Sequence, residues 1–170
     1  MSKILKKMNQ NWWIFPLLVF VVVESILVAI SFVVGPILLA MVEPGLRKDI
    51  YSSLTGSSSG LLGFSLAAVA ILAAFSPRVG AGVNRTREQS MAEARGDIAK
   101  CLLATSFLLM IVLVVSTIGI GIDTKGEGNL PIVSLVVAAA FASIIGLLIS
   151  GLGVTLSILE RNSLGVQTGS

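Results

Sequence analysis

The stretch WWIFPLLVFVVVESILVAISFVVGPILLAMV, Trp12–Val42, decides the fold class. A helix needs about 20 apolar residues to cross ~30 Å of hydrocarbon. This stretch exceeds that length with a single charged side chain, Glu24. Lipid offers no partner to a backbone N–H or C=O, so a segment of this kind satisfies itself as a helix. Three further stretches read the same way, at roughly 54–75, 101–122 and 130–159. The sequence therefore predicts an all-α, four-transmembrane-helix bundle forming one membrane domain over 1–170. Too few residues remain outside the spans for a separate soluble domain.

Composition agrees. Hydrophobic residues make up 55% of the chain and charged residues 12%, and the mean hydropathy is +0.96. A soluble domain carries about 25% charge. The net charge of +3 is not a nucleic-acid signature, because the basic residues sit in short segments beside lipid, without aromatic interleaving or a reading motif.

Placement of those basic residues sets the expected orientation. Lys3, Lys6, Lys7, Arg78, Arg85, Arg87, Arg95, Lys100 and Arg161 fall on one side of four alternating spans; Arg47, Lys48 and Lys125 fall on the other. Short loops rich in Lys and Arg stay cytoplasmic. Both termini and the 76–100 loop are thus expected in the cytoplasm of a bacterial cell, the protein residing in its inner membrane. Trp12 and Trp13 suit the inner interfacial belt, and the N-terminus reads as a retained anchor rather than a cleaved signal.

Pro16 and Gly35-Pro36 are the expected bend points of the first span. The second is the weakest, since Thr55–Gly60 is small and polar; this half reads equally as shielded helix, unwound stretch or loop. In the 76–100 loop, Thr86-x-x-Gln89 and Ser90-x-x-Glu93 resemble capping boxes, so a helix is expected to begin near Ser90 and extend into the third span. Arg85, Arg87, Glu93 and Arg95 are the candidate contacts of that segment with a cytoplasmic protein. The polar link Asp123–Asn129 is short, which makes the third and fourth spans antiparallel neighbours.

Helices in lipid associate by close approach of small residues. The fourth span carries an i,i+4 row of this kind: Ser134, Ala138, Ala142, Gly146 and Ser150. The second carries Gly56 and Gly60, and one ridge over Gly63 and Ala67. Such rows serve packing within one chain or between copies. A unit this small hardly encloses a polar path alone, so a homo-oligomer is the expected partner state beside the lipid bilayer itself.

Glu24 is the candidate chemical site. It lies about 18 Å along its helix from the tryptophan pair, near the expected midplane. An intramembrane carboxyl is costly and marks an ion- or proton-binding function by default. Desolvation there favours its neutral form. Depth matching names Ser65 and Ser143 as its best hydrogen-bond partners, with Ser116 or Thr117 behind them. Three roles stand open: a proton- or cation-binding carboxyl, a member of a carboxylate ring around a pore, or a neutral residue that fixes packing.

Enzyme chemistry finds little footing. There is no histidine and one cysteine, Cys101, so imidazole catalysis, zinc helices and an intrachain disulfide are absent. Cys101 reads as a packing thiol before it reads as an acylation site. No metal site or cofactor is expected. With Glu24 in Val21-Val-Val-Glu-Ser-Ile-Leu27, the chain resembles in architecture the small multidrug resistance transporters, although it is longer and carries its own basic loop. That resemblance implies a proton-coupled small transporter using Glu24. The segment Gly60-Leu-Leu-Gly-Phe-Ser-Leu-Ala-Ala-Val-Ala-Ile-Leu72 also looks like uncharacterised bacterial four-span proteins, among them membrane components of anti-phage and toxin-immunity loci. The leading expectation is a non-enzymatic homo-oligomeric pore or membrane effector. The alternatives are that transporter and a structural or immunity-type protein binding another membrane protein.

Overall fold

A computed structural model describes residues 12–35, 38–74, 85–123 and 128–165, with side chains over 12–35, 39–74, 95–123 and 128–155. Its four α-helices are α1 (Phe15–Val34), α2 (Pro44–Ala74), α3 (Arg85–Ile122) and α4 (Leu130–Gly165). All four are long and apolar enough to cross a membrane, and no strand occurs among the described residues.

The ends follow local chemistry, and two differ from expectation. Trp12–Ile14 form a 3-10 turn leading into α1, whose first turn contains Pro16. Proline there removes an N–H that has no helical partner anyway, so Pro16 starts the helix and does not bend it. At the far end Gly35 adopts φ +90°, with its N–H on the Ser31 carbonyl 3.1 Å away. That left-handed residue stops α1 at Val34, eight residues short of the expected Val42. A second 3-10 turn, Leu38–Met41, follows.

The α2 helix begins at Pro44, ten residues before the expected Leu54. The small polar stretch Thr55–Gly60 is helix, though not the shielded one expected: Ser58 is buried, while Gly56, Ser57, Ser59 and Gly60 are exposed. The α3 helix is already formed at Arg85, which places Ser90 inside it rather than at its cap. It runs without a break to Ile122. Pro131 occupies the first turn of α4, where it removes no helical bond.

In space the helices stand in the order α2, α3, α4, α1. The α3 helix is the centre, flanked by α2 and α4, and α1 lies mainly on α4, antiparallel to it. Half of the apolar window of α3 is buried, against none of that of α1. Small residues set the spacing. The whole fourth-span row is buried: Ser134, Ala138, Ala142, Gly146 and Ser150. A Cβ at Gly146 would strike the Thr105 hydroxyl and come within 3.2 Å of Pro16, and one at Gly153 would press on Ile98. Three buried hydroxyls return to their own helix: Thr105 donates to Cys101 O, Ser106 to Leu102 O and Ser143 to Ala139 O. Each is thereby satisfied without water.

Candidate functional site

The α1 helix presents Glu24 to α4, and the Ser134 hydroxyl donates to its Oε1 over 3.0 Å. Ser134 stands one turn inside the start of α4, which brings the carboxyl toward the end of the bundle that carries Arg47. Its second oxygen, Oε2, is buried with no hydrogen-bond partner among the described residues. The two helices part beside it around a cavity of about 280 Å³. Val28, Ser31 and Phe32 of α1 wall one side, and Leu130, Pro131 and Ser134 of α4 the other. The Ser31 hydroxyl is spent on Leu27 O, 2.8 Å away. The recess is thus apolar with one acceptor oxygen left unmatched, an arrangement that suits a proton or another donor.

Neither of the partners named by depth is there. Ser65 bonds Ser106 Oγ over 2.7 Å at the α2–α3 contact, and Ser143 bonds Ala139 O within α4. Ser116 is buried in α3, and Thr117 donates to Leu113 O. Depth counting assumed that every helix was equally reachable from α1; the order α2–α3–α4–α1 puts Ser65 two helices away. The sequence marks Ser134 only as a packing residue. It does both jobs, since the α1–α4 approach that needs a small residue also delivers its hydroxyl to Glu24.

A second polar centre, which sequence reasoning missed, closes the opposite side of the same end. Arg47 Nε lies 3.0 Å from Asp123 Oδ2, with side-chain exposures of 0% and 1%. Arg47 Nη1 donates to Ala40 O at 3.1 Å and to Val42 O at 3.2 Å. Tyr51 donates its hydroxyl to Asp123 Oδ2 at 3.0 Å, and the Asn129 N–H donates to Oδ1 at 3.0 Å. Every atom of the carboxylate is engaged, which is what makes a buried ion pair tolerable. In the sequence Arg47 stands out only as one of the basic residues that set orientation, and Asp123 only as the start of a polar link. The available signal was the i,i+4 spacing of Arg47 and Tyr51, which puts a cation and a phenol on one helix face.

The two small-residue rows part company. The row of α4 is internal, whereas Gly56, Gly60, Gly63 and Ala67 of α2 are exposed, and a Cβ added at any of these three glycines would meet nothing within 4 Å. Cys101 is fully buried, its sulfur 4.0 Å from Gly146 O. Of the candidate contacts in the 76–100 segment, Arg95 is half-buried; the side chains of Arg85, Arg87 and Glu93 lie outside the described residues. No family model, curated protein or solved structure matches this chain.

Proposed function

We propose that this is a non-enzymatic integral protein of a bacterial inner membrane, crossing it four times with both ends in the cytoplasm. In this reading it assembles through α2 into a homo-oligomeric pore or membrane effector. The observation that supports the reading is the contrast between two outward faces. The α1 helix turns large side chains outward, Val21, Val22, Ile26, Phe32 and Val33 among them, as a lipid-facing helix does. The α2 helix also turns out Phe64 and Ile71, but beside them runs a strip of small residues, Ser53, Gly56, Gly60, Gly63, Ala67 and Ala74, on the side opposite Tyr51, Ser58 and Ser65, which are buried. Lipid chains gain little against such a strip, while a second helix can approach it closely and meet its hydroxyls.

The test is cross-linking of Gly60→Cys in a Cys101→Ser background, together with planar-bilayer current from the purified protein. Disulfide-linked dimers and a conducting oligomer are expected. A monomer that neither cross-links nor conducts would overturn the reading.

A second reading, proton-coupled transport through Glu24, has the unmatched Oε2 in its favour. Glu24→Gln keeps the shape and the Ser134 bond but removes the titratable proton. Proton-driven solute uptake by vesicles of the wild type, lost at least tenfold in Glu24→Gln, is its expected signature. Uptake unchanged in that variant would end it.

A further inference from the structure

The Glu24 recess and the Arg47 centre are joined by short lengths of chain. The α1 wall of the recess ends at Phe32; eight residues on, Ala40 is buried and its carbonyl accepts from both Arg47 Nη1 and the Gly128 N–H, the latter at 3.2 Å. The α4 wall begins at Leu130; the residue before it, Asn129, donates its N–H to Asp123. The chain leaving one wall and the chain arriving at the other are therefore gripped by the two halves of one ion pair. Gly128 brings them into contact, since a Cβ there would come within 2.8 Å of Ala40 Cα and run into the Arg47 guanidinium.

What this grip holds is the least embedded helix. The apolar window of α1 has no buried residue. It packs along α4, with Pro16 against Gly146 near its start, Phe20 on the core, the Glu24–Ser134 bond beyond them and the tether through Ala40 past its end. We propose that the Arg47–Asp123 pair is a latch on the Glu24 recess. When the pair is made, α1 stays at the separation from α4 that lets Ser134 reach Glu24. When it is broken, the end of α1 swings from α4 and the recess widens. Arg47, Asp123 and Gly128 are positioning residues here, acting on Glu24 through the chain. The functional weight of this latch rests on the reading of the recess as a site.

Paired spin labels in the full-length protein in lipid nanodiscs test it, in a Cys101→Ser background. Val33→Cys marks the recess end of α1, with Phe141→Cys, two turns beyond Ser134 on α4, as its reference; Phe107→Cys with Leu148→Cys spans α3 and α4 as a control. All four positions are exposed, so the labels leave the core untouched. Two independent variants release the latch: Asp123→Asn removes the charge, and Gly128→Ala wedges Ala40 away with the charges intact. The first pair is expected to lengthen in both variants by more than the width of the wild-type distribution, with the control pair unmoved. A first pair that stays at the wild-type distance in both variants overturns the latch. So does a shift of both pairs together, which is general loosening. Glu24→Gln uptake is independent of these distances, so failure of the latch leaves the transport reading standing, and the reverse also holds.

Discussion

Arg47 shows how a buried charge depends on its partner. Two ions taken out of water lose hydration worth several kcal/mol each, which only mutual attraction and added hydrogen bonds offset. Arg47 and Asp123 have both, with two backbone carbonyls on the cation and a phenol and an N–H on the anion. Removing one partner strands the other, so Arg47→Ala or Asp123→Ala should each cost about 3–5 kcal/mol. The apolar pair Arg47→Met with Asp123→Leu should cost clearly less than the sum of the two singles. Tyr51→Phe deletes one bond to a charged group, a loss of about 1.5–3 kcal/mol. Reversible unfolding in mixed micelles measures all four. Additive singles would show that the two residues act apart.

Helices were legible in the sequence because length and unbroken hydropathy fix them without reference to neighbours. Their ends were less so. The start of α2 lies in a stretch too polar to read as a span, and what makes it helical there is Arg47 and Tyr51 finding Asp123, some 70 positions away in the chain. Residue patterns showed two small-residue rows but not which way each would turn; the order α2–α3–α4–α1 decides that, and it differs from the order along the chain. The rows now carry opposite expectations. Gly146→Leu drives a side chain into Thr105 and Pro16 and should destabilise the bundle by about 1–3 kcal/mol. Gly60→Leu enters open space, should change the stability of the single chain by less than about 0.5 kcal/mol, and should lower the oligomer mass seen in mild detergent. Equal effects of the two on stability would mean that α2 is covered within the chain.

For the whole molecule, the division into lipid-facing and partner-facing surfaces depends on four crossings with the basic ends on one side. The Trp12 end brings the first residues of α1 to α4 around Gly153, and the Arg47 end gathers the α1–α2 and α3–α4 connections. An even number of crossings follows if every helix spans. Cysteine labelling from one side of intact cells measures this directly, in a Cys101→Ser background with single cysteines at Ser2, Lys125 and Ser170. A membrane-impermeant maleimide is expected to reach Lys125→Cys from outside, and to reach Ser2→Cys and Ser170→Cys only after the membrane is opened. Labelling of positions 2 and 170 from opposite sides, or a chain left in the supernatant when membranes are spun out, would contradict it.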